Sequence, residues 1–208
     1  MSDVSDAVGR LYTMCSRIRS LYQPVPRLVG VALTVKAHPG DNLAVHGALA
    51  RVQPGDVLVV DWQGYADGCG SGAASLVVPI RRGLAGVVID GGWRDVDELR
   101  AMGFPVFGRR EVIFSPGKRE PGELNVPVCC GGVIVEAGDV VVADAEGVAV
   151  VPRRHVEDVA AALRSAVRPT AAADPPADLE RQADQRGRHF DVVFQDRGGM
   201  LPAEPDGT

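Results

Sequence analysis

Short, continuous apolar runs constrain this chain more than any other feature. Val57 to Val60 is apolar at every position, the pattern of a strand buried on both faces. Leu28 to Val35, Val87 to Ile89 and Phe104 to Phe107 are further β-runs, each preceded by a stretch of helical character. The resulting order, α-β-α-β-α-β-α-β, is the rhythm of a parallel sheet flanked by helices.

The intervening segments carry their own signals. Val4, Val8, Leu11, Met14, Ile18 and Leu21 recur at three- and four-residue steps, predicting one amphipathic helix over residues 4–22 that ends at Pro24 and Pro26. Asp41 reads as the cap of a helix over 42–52, and Asp95 as the cap of a helix from Val96 to Met102. Between them, Gly68, Gly70 and Gly72 form a glycine-rich turn that leads into a helix near Ala73 to Arg82.

From Arg109 the character changes. A polar loop (115–122) precedes β-runs at Val126–Cys130, Val133–Val135, Val140–Ala143 and Val148–Val151, separated by glycine and aspartate turns that suit antiparallel pairing. A last helix is expected from His155 to Val167. The chain thus reads as one domain over residues 1–168. Residues 169–208 read as a linker (PTAAADPPAD), a short polar helix from Leu179 to Arg188 and a disordered end.

Composition excludes several functions. A formal net charge of −5 and the lack of a Lys/Arg-rich face argue against nucleic-acid binding. No apolar run approaches the ~20 residues of a membrane span, and the N-terminus lacks the apolar core of a signal peptide. Cys15, Cys69, Cys129 and Cys130 show no CxxC spacing and read as free thiols, which implies a cytoplasmic protein.

The chemistry-bearing residues centre on the glycine-rich turn. A turn of this kind at a helix start offers unpaired N–H groups to a carboxylate or phosphate, although glycines also simply permit a tight loop. A phosphate-binding Walker loop does not fit, because no Lys-Ser/Thr follows the glycines. A dinucleotide fingerprint (Gly68, Gly70, Ala73, with Asp90 downstream) half matches, but six residues separate Asp61 from Gly68 where that motif needs the glycine at the strand end.

Arg94-Asp95 follows the third β-run, beside Asp90. By spacing alone it is a surface arginine beside a helix cap. Its functional reading is a bidentate grip on a substrate carboxylate next to a ligand for a hard cation. One carboxylate plus waters suits Mg²⁺. Zinc lacks a ligand set, because His38, His46, His155 and His189 are scattered and read as surface residues. No Ser-His-Asp arrangement is visible. Lys36 and Lys118 are the only lysines, and Lys118 lies in a polar loop unsuited to Schiff-base chemistry.

SDAVGRL, RLVGVALTV, PGDN, PGDVLVVD, GLAGVVIDGGWRDVDEL, GFPVF and NVPVCCGGVIVEAGDVVVADAEGVAVVP together resemble the RraA-like family. In that family a glycine precedes an Arg-Asp pair by some twenty residues; here Gly72 and Arg94 have 21 residues between them. The resemblance implies an α/β fold of the swivelling β/β/α type, with mixed sheets and flanking helices, assembled as a homotrimer or hexamer.

The resemblance also implies a divalent-metal-dependent lyase that cleaves a C–C bond in a pyruvyl (2-oxo acid) substrate through a pyruvate enolate. Oxaloacetate decarboxylase and 4-hydroxy-4-methyl-2-oxoglutarate aldolase are the two reactions of this kind. Carried over by position, Gly72, Ala73, Ala74 and Ser75 supply N–H groups to the substrate, Arg94 holds it, and Asp95 binds Mg²⁺, Mn²⁺ or another divalent cation. The family's aldolases usually carry an acidic residue after the motif glycine, where this chain has Ala73; Asp67 and Glu98 are the candidate replacements, and Glu180 is the candidate for a C-terminal glutamate that approaches the site from a neighbouring subunit in some members. This departure favours decarboxylation, or a different 2-oxo acid substrate. The alternative within the family is a non-catalytic regulator that binds a ribonuclease.

Overall fold

The computed structural model describes residues 2–165. Four parallel strands form its centre: β2 (Leu28–Lys36), β3 (Asp56–Asp61), β4 (Gly86–Ile89) and β6 (Val106–Gly108), in the order β6-β4-β3-β2. The two-residue strand β1 (Arg19–Ser20) adds antiparallel to β6. On the other side β11 (Val140–Asp144) pairs antiparallel with β2 and β12 (Gly147–Val151) antiparallel with β11, while β8 (Glu123–Leu124) also pairs antiparallel with β2.

Both faces of the central strands are covered, which is why they read as unbroken apolar runs. Successive residues of β3 serve different cores. Leu58 and Val60 pack with Val45, Leu49, Leu76 and Leu99 from the helices. Those helices are α2 (Leu43–Leu49), α3 (Ala73–Arg81) and α4 (Val96–Ala101). Val57 and Val59 pack on the opposite face with Val128 and Cys130 of β9 (Val128–Cys130), Val133 and Val135 of β10 (Val133–Val135), and Met14 and Ile18. The β9–β10 hairpin is antiparallel, as the turn residues suggest. Hairpin, sheet and helices give the three-layer β/β/α arrangement with a mixed sheet.

The N-terminal segment departs from expectation. Helix α1 covers only Ser2–Val8, Gly9 turns the chain at φ +90°, and Arg10–Tyr12 is a single 3₁₀ turn. Beyond it, Met14 N–H donates to Val148 O and Cys15 N–H to Gly131 O, so the backbone there is spent on β12 and on the turn of the β9–β10 hairpin. The apolar spacing from Met14 to Leu21 reflects docking on the sheet, not a helix. The last helix, α5 (Val156–Ser165), starts one residue later than expected. The linker, short helix and disordered end expected over residues 169–208 lie outside the described residues. Among those described, no helix is long and apolar enough to cross a membrane.

Candidate active site

Past the end of β3 the chain makes a turn at Gln63–Gly64 and reaches the glycine-rich segment, which runs beside the exit of β4. Gly70 N–H donates to Gly92 O (2.8 Å) and Arg94 N–H to Ser71 O (3.2 Å), joining the two segments backbone to backbone. Gly92 and Trp93 (β5) pair in turn with Arg110 and Glu111 (β7). The glycine turn and the Arg-Asp pair are therefore neighbours by hydrogen bonding, not merely by proximity.

Gly72 is the reason they can approach so closely. Its backbone is extended (φ −142°), so no left-handed conformation demands glycine here. A Cβ at this position would sit 2.1 Å from Asp95 Oδ2 and 2.9 Å from Arg94 Nε. Asp95 itself is left-handed (φ 60°, ψ 38°), a conformation that costs a non-glycine residue energy and that recurs at functional sites. Its side chain does not cap α4, contrary to the sequence reading. Asp95 Oδ2 instead accepts the Ala73 N–H at the start of α3 (3.0 Å), where the helix dipole favours a negative charge.

Arg94 Nη1 donates to Ser115 Oγ (3.0 Å), while its Nε, 3.7 Å from Asp95 Oδ2, is buried without a hydrogen-bond partner. Ser71 and Ser75 share a hydrogen bond of 2.5 Å, and Ser75 Oγ also donates to Gly72 O. Of the four residues expected to offer N–H groups, Ala73 is spent on Asp95 and Ser75 N–H goes to Gly72 O (3.2 Å). That leaves the N–H groups of Gly72, just before α3, and Ala74, in its first turn, to serve an incoming anion.

These residues line a cleft of about 160 Å³ that sequence reasoning had only half assembled. Asn42, His46, Cys69 and Lys118 also line it. Asn42 Nδ2 donates to Gly70 O (2.8 Å), leaving its buried Oδ1 unsatisfied. His46 lies one helical turn beyond Asn42 on α2 and is half-buried in the cleft, correcting its reading as a surface residue. Burial and then the Lys118 charge hold its pKa below the ordinary histidine value, so it is neutral near pH 7. Burial also pushes the Cys69 thiol up, against the pull of Arg94, which removes it as a thiolate nucleophile.

Lys118 arrives through a loop pinned by Asp41. Asp41 Oδ2 accepts Arg119 N–H (2.7 Å), Oδ1 accepts Leu43 N–H (3.0 Å), and Asn42 N–H donates to Gly117 O (3.0 Å). The i→i+2 pattern of Asp41 and the long reach to residue 119 are invisible to a search for caps alone. Asp90, placed with Arg94 and Asp95 on sequence, belongs elsewhere: its carboxylate is buried against Arg109 Nε and Gly131 N–H. Ala73 is fully buried, and neither Asp67 nor Glu98 lines the cleft, so among the described residues Asp95 is its one carboxylate.

The donor set decides which cation the cleft fits. Among the described residues there is no group of three His, Cys, Asp or Glu placed to hold a metal ion. A single carboxylate beside hydroxyls and an unsatisfied amide oxygen suits a hard cation that keeps most of its water, such as Mg²⁺. The unpartnered Arg94 Nε, beside Lys118, suits an anionic substrate.

The RraA-like family model (Aldolase/RraA) matches residues 1–150. The chain belongs to the RraA-like family. Relatives include a protein of Halalkalibacterium halodurans named "Putative 4-hydroxy-4-methyl-2-oxoglutarate aldolase", 40% identical over 156 residues, which are 75% of this chain and 74% of that one. Among solved structures, the RNA-processing inhibitor RraA from Thermus thermophilis superposes with a TM-score of 0.64 at 28% identity, covering 73% of this chain and 91% of that one. A Geobacillus kaustophilus protein titled S-adenosylmethionine:2-dimethylmenaquinone methyltransferase gives 0.66 at 33% identity, covering 73% and 94%. RraA-like relatives thus carry names from three different functions, and the choice for this chain rests on its own cleft.

Proposed function

We propose that this RraA-like protein is a carbon–carbon lyase that releases pyruvate from a 2-oxo acid with the help of a divalent cation. Oxaloacetate and 4-hydroxy-4-methyl-2-oxoglutarate are its candidate substrates. The observation that carries the reading is Asp95, strained into the left-handed region and held by Ala73 N–H beside an arginine with an unsatisfied Nε.

In this reading the substrate's pyruvyl carboxylate is held by Arg94 and by the Gly72 and Ala74 amides at the N-terminus of α3. Lys118 adds a second positive charge against the single negative charge of Asp95, so the cleft favours a dianion. Asp95 would hold a cation such as Mg²⁺ or Mn²⁺, which would supply Lewis acidity toward the 2-keto group. As the C–C bond breaks, charge gathers on the keto oxygen, and the Arg94 guanidinium is fixed beforehand to stabilise it. Decarboxylation needs no base. Aldol cleavage must remove a hydroxyl proton, and neutral His46 is the cleft's best-matched acceptor now that Ala73 offers no acid. Assembly as a homotrimer or hexamer belongs to the same proposal.

The test is pyruvate release from both substrates with Mg²⁺ and with EDTA, in wild type and Asp95→Ala. Metal-dependent turnover lost in the variant supports the lyase. The second reading, a regulator that binds a ribonuclease, draws on the Thermus relative and on the cleft's lone carboxylate. It predicts no turnover above the metal-only blank, no divalent-ion binding, and coprecipitation with the ribonuclease.

A further inference from the structure

A second cleft, of about 340 Å³, opens beside the edge strand β1 and is twice as large as the one around Asp95. Ser16, Arg17, Arg19, Gly64, Ala66 and Arg109 line it. Three of these six are arginines, in a chain whose net charge is −5. We propose that this cleft binds a small polyanion, a molecule carrying two or more phosphoryl or carboxylate groups.

The three guanidiniums are brought together by the fold and not by chance surface drift. Ile18, only 2% exposed, anchors the segment between Arg17 and Arg19 and leaves both side chains in solvent. Arg19 pairs across the sheet with Gly108, which places it next to Arg109. Arg109 forms the rigid floor. Its Nε is hydrogen-bonded to the buried Asp90 carboxylate, which in turn accepts Gly131 N–H. A Cβ on Gly64 would lie 2.9 Å from Arg109 Nη2, so only glycine lets the guanidinium lie so close to this turn.

Among the described residues the charges do not balance. Asp90 neutralises Arg109, but no carboxylate of the described residues forms an ion pair with Arg17 or Arg19. Like charges gathered around one cleft repel, and an oxyanion between them relieves that repulsion. Arginine rather than lysine at all three positions supplies flat forks able to pair bidentately with phosphoryl or carboxylate groups. The hydroxyl of Ser16 adds a neutral donor at the rim. The cleft volume falls at the lower end of the range for small-molecule sites, roughly 300–1,000 Å³, which suits a compact ligand. The neighbouring thiol senses the same field. Burial raises Cys15, yet the Arg17 amide and guanidinium outweigh it and hold the thiol below its ordinary range.

The test is calorimetric titration of the full chain with inorganic pyrophosphate and, separately, with citrate, in metal-free buffer at constant ionic strength. Wild type, Arg17→Ala/Arg19→Ala and Arg94→Ala are compared, with circular dichroism to show that each is folded. Saturable binding of either anion that weakens roughly tenfold or more in the double variant and persists in Arg94→Ala is the expected result. A preference between the two probes distinguishes phosphoryl from carboxylate ligands. Heats no larger than those of sodium chloride, binding unchanged in the double variant, or binding lost in Arg94→Ala would each overturn the proposal. None of these outcomes depends on whether the other cleft is a lyase.

Discussion

Replacing Gly72 with alanine adds one methyl group and tests the whole construction of the cleft. The backbone at Gly72 is extended, so alanine meets no conformational penalty there. The cost is purely one of contact: the new Cβ would stand 2.1 Å from Asp95 Oδ2 and 2.9 Å from Arg94 Nε. Asp95 must retreat by about 1 Å, a displacement that typically costs about 10²-fold when it misplaces a reacting group. Stability should change much less. Crowding costs about 1–3 kcal/mol, offset by about 0.4–1 kcal/mol from a stiffer unfolded chain. The net loss of at most about 2.5 kcal/mol corresponds to a fall in Tm of up to roughly 10 °C for a domain of this size. Gly72→Ala should therefore remain folded by circular dichroism while Mg²⁺-dependent pyruvate release drops about a hundredfold. A folded Gly72→Ala variant retaining at least half of the wild-type kcat/KM would refute the reasoning.

Three further outcomes are expected. His46→Gln slows aldol cleavage at least ~10-fold while leaving oxaloacetate decarboxylation within about twofold, because only the former needs a proton acceptor; equal losses for both substrates would remove His46 from that role. Lys118→Met raises the His46 pKa, read by NMR titration, because burial and the Lys118 charge both hold it down and only burial remains. Asp41→Asn costs about 1–3 kcal/mol at pH 7 by weakening the charged hydrogen bonds to Leu43 and Arg119. Burial of Asp41 raises its pKa, but these backbone amides outweigh it and depress the folded value. Its contribution is therefore full above the unfolded value near 3.9 and fades as pH falls through the lower folded value, so the gap between the two melting curves should close in acid.

Elements governed by local pattern were legible, and those governed by distant partners were not. β3 announced itself because every residue from Val57 to Val60 is buried. The start of α3 followed from the glycine turn, and its observed end at Arg81 lies within one residue of the expected one. The 4–22 helix misled because Met14 and Ile18 are apolar for the sake of the β9–β10 layer, and periodicity does not say which element a side chain packs against. Around the cleft, Gly72, Arg94 and Asp95 stood out as a spaced motif. His46 did not, because α2 spends Ala44, Val45, Ala48 and Leu49 on the core and only its relation to Asn42, four residues back, marks the other face. Lys118 was hidden by a loop whose position depends on a carboxylate 78 residues away from Arg119. Asp90 was misplaced for the same reason, since its partner Arg109 comes 19 residues later.

The chain between the glycine turn and the Arg-Asp pair behaves as a closed mechanical circuit. From Gly72 it descends α3, nine residues or about 13 Å at 1.5 Å each, turns at Gly83, and climbs back along the four residues of β4, about 13 Å at 3.3 Å each. The circuit is clasped at its mouth by Arg94 N–H on Ser71 O and by Asp95 on Ala73 N–H. Outward and return paths match in length, so the count of residues between Gly72 and Arg94 is a dimension of the fold. An insertion inside α3 or β4 would rotate or slip one jaw of the clasp against the other. One in the turn between them would leave the jaws in register, and this is where the circuit has room to vary.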